Sequence, residues 1–453
     1  MHGRATRTVR RVTEAFGAGH AAGGPRAEAF VTDVPLPALA LLHRVGTTLA
    51  LANVEEATRR AMTGVLAVRT RSPGPIAVAV GSRGMADLAA IVRTAIGELR
   101  RAGWSPFVVP AMGSHGGGTE RGQIQVLEGL GITEHTVGAP VRATMAVKET
   151  GKVRGVRVVV DQAALQAGAV VVINRVKAHT DFHGTIESGP AKMLALGLGH
   201  VAAAAELHAD GPDGLRALIP EAARSLVSTG LVLGAIATVE NEIGETAIVQ
   251  GLRPHEIAAE PEMRLLRRAK EIMPRLPFGE LDVLVVQRVG KDLSGEGLDP
   301  NVIGRMYITG VPEPESPAIR CIAALSLTAG SAGNALGIGL TDFISRRLAE
   351  AIDVDAMYAN ALTAGIVDVQ RAKLPIVLPS DRLAIQAALA SCGRRDLSRA
   401  RLMWILDTEH LKVVAVSGVL AAAAVGRDDL ELIEEGVKMR FDRQGSLVPP
   451  SRP

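Results

Sequence analysis

The sequence predicts an α/β protein of two domains with mainly parallel sheets and an active site in the cleft between them. Three observations carry this. The chain has 453 residues, too many for one ordinary hydrophobic core. Several short runs of β-branched and apolar residues lack polar alternation, the mark of strands buried on both faces. The first two of these runs enclose an amphipathic helix, and strand, helix and strand within about thirty residues make a βαβ unit with parallel strands.

The elements follow in order. The spacing predicts buried parallel strands at Pro75 to Val80, Pro106 to Val109, Val156 to Val160 and Ala169 to Val176. Between the first two, Leu88, Ile91, Val92, Ala95, Ile96 and Leu99 share one helical face, and Gly103 ends the helix. A helix at Glu260 to Ile272 stops at Pro274 and Pro277, and a fresh buried strand starts at Leu281. The expected division is a flexible N-terminal extension over 1–45, a catalytic and cofactor-binding domain over 46–275 and a C-terminal α/β domain over 276–453. Helices are expected near Ala318 to Leu327, Asp342 to Ala364 and Asp381 to Ala390, with strands near Pro375 and Val413.

Composition narrows the class. Hydrophobic residues make up 47% and aromatics 2%, so cores are built from Ala, Val, Leu and Ile. The net charge of +3 is spread along the chain, without the concentrated basic patch that nucleic acid requires. The basic run Arg4 to Arg11 has no apolar signal core behind it, and no uncharged apolar run of about 18 residues predicts a membrane span. Cys321 and Cys392, far apart and without CxxC partners, point away from a disulfide framework and toward a reducing cytoplasm.

Ligands of open α/β sheets bind at the carboxyl ends of strands, so the residues after each strand hold the candidate chemistry. After the first comes GSRGMAD, where Arg83 is either an anion clamp or an ordinary turn arginine. After the second comes PAMGSHGGGTERGQ. Gly116, Gly117 and Gly118 let backbone approach a ligand, and His115 is a candidate general base because imidazole titrates near neutrality.

The densest segment follows the fourth strand. From Asn174 to His208 it holds His179, His183, His200 and His208, four of the chain's 11 histidines, with Lys177, Asp181, Glu187 and Lys192. Lys192 stands in an apolar helical stretch, where partial burial suits a covalent lysine and a snorkelling one is the plain alternative. No HExxH or fixed zinc spacing is present. In the second domain a glycine-rich loop after Leu281's strand, VGKDLSGEGLDPNVIGR, offers Lys291, Asp299 and Asn301.

GSRG, MGSHGGGTERGQ and KAHTDFHGTIESGPAKM with a downstream histidine together resemble the lactate racemase family, whose members carry a nickel-pincer nucleotide. The likeness runs from about residue 75 to at least 305. It implies a racemase or epimerase of a small-molecule 2-hydroxy acid, working by proton-coupled hydride transfer to a pyridinium mononucleotide held covalently by lysine and made by enzymes encoded elsewhere. It further implies Lys192 as the attachment residue, His208 as the nickel ligand, His115 and His179 as paired acid and base, and Arg83 as the substrate-orienting arginine. The glycines around His115 and the residues Lys291, Asp299 and Asn301 would line the cofactor. His183 rivals His179 as the base, and His200 is a weaker rival to His208. Gly304 and Arg305 stand where the lactate enzymes have a glutamine and a lysine.

Two other readings compete. One is a dehydrogenase or lyase acting on a hydroxy acid with a diffusible cofactor, although no GxGxxG with a later acidic residue supports it. The other is a non-catalytic nickel- or cofactor-binding protein. No nucleic acid or membrane partner is expected, and a homo-oligomer is compatible with the sequence.

Overall fold

A computed structural model describes residues 27–46, 48–67, 72–82 and 84–450. It divides into two compact units: one spans Thr48–Met273, and the other joins the residues before 48 to those from Pro274 onward.

The first described strand, β1 (Leu39–Arg44), belongs to the second of these units. Much of residues 1–45 lies outside the described part, yet 39–44 is no flexible extension. Its run LALLHR pairs antiparallel with Val413–Ser417 on one side and Leu430–Val437 on the other. Leu39, Ala40, Leu41 and Leu42 are buried, so the hydrophobic effect holds the strand in place.

In the Thr48–Met273 unit the chain forms β2 (Pro75–Val80), β3 (Ser105–Pro110), β4 (Val147–Val153), β5 (Val156–Asp161), β6 (Val170–Arg175), β7 (Val232–Glu240) and β8 (Thr246–Leu252). The main sheet has the order β3-β2-β6-β7-β8. All its pairings are parallel except β7 with β8. Ile76, Val78 and Val80 pack to one side with the helix Leu88–Arg101, while Ala77 and Ala79 pack to the other with Met193, Leu194 and Leu218. Alternation within one strand thus feeds two cores, which is why the sequence shows no polar alternation.

The sequence expectation for Val156 to Val160 is corrected. β5 is not in the parallel sheet; it pairs antiparallel with β4 in a hairpin of its own. Arg154 and Gly155 form the turn at φ 51° and 85°, the left-handed conformations that a tight hairpin turn requires.

The other unit adds β9 (Glu280–Val286), β10 (Ala318–Ala324), β11 (Phe343–Ser345), β12 (Ile376–Leu378), β13 (Leu402–Ile405), β14 (Val413–Ser417) and β15 (Leu430–Val437). Its sheet runs β12-β11-β10-β9-β13-β14-β1-β15, parallel from β12 to β13 and antiparallel beyond. Two helix expectations fail here. Ala318 to Leu327 is led by a strand, because Cys321, Ile322, Ala323 and Ala324 are buried between parallel neighbours; an apolar run of that length does not itself choose helix or strand. Asp342 to Ala364 opens with β11 and then breaks into two helices, Arg346–Ala351 and Val354–Ala364, the second capped by Asp353.

Candidate active site in the Thr48–Met273 unit

From β2 the chain runs outward to β3, then returns to β6 on the other side of β2. The gap between the carboxyl ends of β2 and β6 is therefore a topological switch point, where α/β sheets open a crevice. Arg83 lies outside the described residues, but its neighbour Ser82 meets His115 Nδ1 through its Oγ. The connections after β2 and β3 are thus joined at the candidate base.

Of the three glycines beside His115, two are explained by packing. A Cβ on Gly116 would fall 2.6 Å from the backbone nitrogen of Gln123, and one on Gly118 would fall 2.5 Å from Val201 Cγ2. Gly117, at φ +67°, faces open space, so it alone keeps the freedom expected of a ligand cradle. Gln123 donates to Gly113 O at 2.9 Å and to His115 O at 3.3 Å, which fixes the backbone on both sides of the loop.

The connection after β6 closes on itself. Lys177 N–H donates to Ser188 Oγ at 2.7 Å, and that hydroxyl donates back to Lys177 O at 2.6 Å. Inside the closed loop lies Glu187, wholly buried. Its carboxylate accepts the backbone N–H groups of His179 (2.9 Å) and Gly184 (2.7 Å) and pairs with Lys270 Nζ at 2.5 Å. Burial opposes its charge, but the bonds from His183, Lys270 and the two amides outweigh it and hold the carboxyl below its ordinary range. Phe182 is buried with its ring centroid 4.5 Å from that of His179, so the imidazole rests on an apolar floor.

His179 Nε2 meets Lys192 Nζ. Lys192 projects from the helix Pro190–Ala195, whose start is fixed by Glu262. That buried carboxyl accepts Ala191 N–H at 2.9 Å and Ala258 N–H at 2.8 Å, and burial pushes it up to about 7 against those two bonds. Burial, then the Lys192 charge, holds His179 well below the ordinary histidine range, with Asp181 opposing. Its Nδ1 accepts Asp181 N–H at 3.0 Å, and its Nε2 is the nitrogen that faces Lys192.

His208 ends the helix His200–His208. Burial lowers its proton affinity, with the Ala204 carbonyl opposing and the Lys192 charge adding to the fall. Nδ1 lies 2.7 Å from Ala204 O and must be the donor there, which leaves the Nε2 lone pair exposed for a metal. A neutral imidazole with its second nitrogen tied to a carbonyl is the donor a nickel ion needs. With Lys192 Nζ beside His179, this donor set fits a lysine-held nickel cofactor.

The rivals separate. His183 is 45% exposed at its side chain and leans on Glu187 at 3.4 Å, outside the His179–Lys192 pair. His200 is buried with its Nε2 2.8 Å from Asp161 Oδ2, while Asp161 Oδ1 accepts Ala164 N–H at 2.8 Å. It anchors the start of the helix that His208 ends. Lys291, Asp299 and Asn301 lie in the other unit, where Asp299 caps the helix Pro300–Ile303 through Asn301 N–H and also takes Asn301 Nδ2 at 3.0 Å. Lys291 Nζ donates to Gly295 O. Arg305 is buried there too, bonded to Leu340 O and paired with Asp342, a structural arginine.

Sequence reading gave no role to Glu262, Lys270, Asp161 or Glu240. Glu240 takes Ala86 N–H at 2.7 Å and pairs with Arg175, tying the connection after β2 to the end of β6. A signal existed for Glu262: it is the one acid on the stripe 262, 265, 266, 269 and 272 that the helix buries.

The chain is similar in structure to the lactate racemase apoprotein of Thermoanaerobacterium thermosaccharolyticum, at 12% identity and a TM-score of 0.43, over 86% of this chain and 92% of that one. It is also similar to a protein from Thermotoga maritima, at 12% identity and a TM-score of 0.46, over 80% of this chain and 98% of the other. No family model and no curated protein matches the sequence. Among the described residues no helix is long and apolar enough to cross a membrane.

Proposed function

We propose that the chain is a racemase or epimerase of a 2-hydroxy acid that uses a nickel-pincer nucleotide held on Lys192. The observation that carries this reading is the grouping of a lysine, an imidazole held neutral and an imidazole with one nitrogen free for a metal at one switch point: Lys192, His179 and His208. When bound, the cofactor supplies the acceptor and donor for the substrate's Cα hydrogen.

The chain's own residues handle the proton. Deprotonating a hydroxyl on either face of a planar centre needs two imidazoles, one in base form while the other is in acid form. His179, held neutral by burial, starts in the base form; His115, whose Nδ1 is engaged by Ser82, is its counterpart. His208 would hold the metal through Nε2. Lys192 Nζ would carry the nucleotide, and Glu187 keeps His179 at its station.

The test is intact-mass analysis of protein co-expressed with the enzymes that build the cofactor, followed by chiral assay on a panel of 2-hydroxy acids. The expected result is a nucleotide adduct on Lys192 and interconversion of one substrate's enantiomers. A mass equal to the bare chain would overturn the reading.

A further inference from the structure

The sheet built from β9 to β15 has a switch point of its own. β9 is flanked by β10 and β13, all three parallel, and the chain leaves β9 toward β10 and returns to β13. The connections after β9 and β13 therefore diverge at their carboxyl ends, as ligand-binding connections of α/β sheets do. The first begins with Gln287 and Arg288, and the second carries Asp407 and His410.

Asp407 is buried, with its side chain 1% exposed, and five bonds converge on it. Arg288 Nε donates to Oδ2 at 2.8 Å. His410 Nδ1 lies 2.8 Å from Oδ1 and 2.9 Å from Oδ2. The backbone N–H groups of Glu409 and His410 donate to Oδ1 at 2.9 and 2.8 Å. Asp299 N–H, in the connection after β9, reaches Thr408 Oγ1 at 2.9 Å, so the two connections are locked together. Arg288 and His410 nevertheless keep 37% and 55% of their side chains exposed.

We propose that Arg288 and His410 form a binding site for the oxyanion of a small ligand, a carboxylate or phosphate group, at the β9–β13 switch point. One buried carboxylate orients two cationic side chains and satisfies their inner nitrogens. The outer ones, the Arg288 Nη groups and His410 Nε2, are the donors such a group takes. With both side chains charged, the pair carries one positive charge more than Asp407 balances. Glu409, partly exposed beside them, is the competing anion. A clamp that merely closed the loop would need only the Asp407 bonds to backbone N–H and the Asp299 bond to Thr408; two cations on the same carboxylate, each partly open to solvent, go beyond it. The bond to Asp407 raises His410 above its ordinary range, with burial and Arg288 opposing and Glu409 assisting, so the imidazole holds its Nε2 proton near neutrality.

Isothermal titration of the whole chain with sodium sulfate and, separately, sodium acetate tests this. Sulfate keeps both charges across the range used, so any change of affinity with pH comes from the protein. Saturable 1:1 binding is expected at about pH 6, weakening by about tenfold at about pH 9, as loss of one charge-assisted bond implies. Arg288→Gln should lose the binding, and His410→Gln should weaken it and remove its pH dependence. Tighter sulfate than acetate assigns a phosphate-bearing ligand, and the reverse a carboxylate. His410 is exposed and Arg288 half-buried, and unchanged circular dichroism confirms that the variants fold. Absence of saturable binding, or binding that both variants retain unchanged, overturns the proposal.

Discussion

The buried carboxylate of Glu187 accepts the backbone N–H of His179 at 2.9 Å, so the station of the candidate acid–base histidine is set through its main chain by a residue eight positions later. Glu187→Gln replaces one accepting oxygen by an amide that faces N–H donors, leaving a buried bond unmade. We expect a loss of about 1–3 kcal/mol in urea-denaturation stability and a lower kcat. Wild-type stability in the variant would show that the loop does not depend on this carboxylate.

Two buried groups should tilt stability with pH in opposite directions. Glu262 has its folded-state value raised to about 7, so between about 4.5 and 7 the folded chain binds more protons than the unfolded one. Its stabilisation is complete below the unfolded value and is lost as pH rises through about 7, by up to about 3 kcal/mol. His179 is lowered instead; its contribution is present above about 6.5 and is lost as pH falls. Thermal melts of Glu262→Gln and His179→Gln against wild type from pH 5 to 8 should give difference curves of opposite slope. Parallel curves would contradict both assignments.

His208 and His200 should part company under metal titration. His208→Ala is expected to weaken nickel binding by more than about 100-fold, since removing a ligand exceeds the 10–100-fold effect of an outer partner. His200→Gln should lower the melting temperature through the broken Asp161 bond while keeping a nickel stoichiometry of wild-type kind. Equal loss of nickel in both variants would return His200 to the list of ligands.

A steric test links the glycine loop to the helix that His208 ends. Gly118→Ala places a methyl 2.5 Å from Val201 Cγ2 at φ +62°, and we expect it to destabilise by about 1–3 kcal/mol. Adding Val201→Ala should recover the part due to the clash, and a double-mutant cycle measures it. Strict additivity would mean that the two do not touch.

Legibility followed burial. The strand Pro75–Val80 and the helix Glu260–Ile272 end at the residues their sequence patterns predict, because each is an unbroken apolar run or stripe bounded by turn formers and prolines. Ala318–Ala324 was not readable, since alanine, isoleucine and arginine suit a helix and only the neighbouring strands decide otherwise. In the candidate site, Lys192, His179 and His208 were visible as one segment. The partnership of His200 with Asp161, 39 residues away, and that of Arg288 with Asp407, 119 away, exist only after folding. Local pattern carries no trace of either.

The place of β1 has a consequence for how the chain is made. Among the described residues its sheet partners are β14 and β15, so a ribosome delivers an apolar strand whose mates follow after the whole of Thr48–Met273 and most of the other unit. At about 5–20 residues per second, Leu39–Arg44 waits on the order of tens of seconds without a partner. The Thr48–Met273 unit has all of its strands in hand well before that and can complete its fold first. Nascent chains stalled before Val413 should therefore protect the Thr48–Met273 unit from protease while Leu39–Arg44 stays open to chaperones.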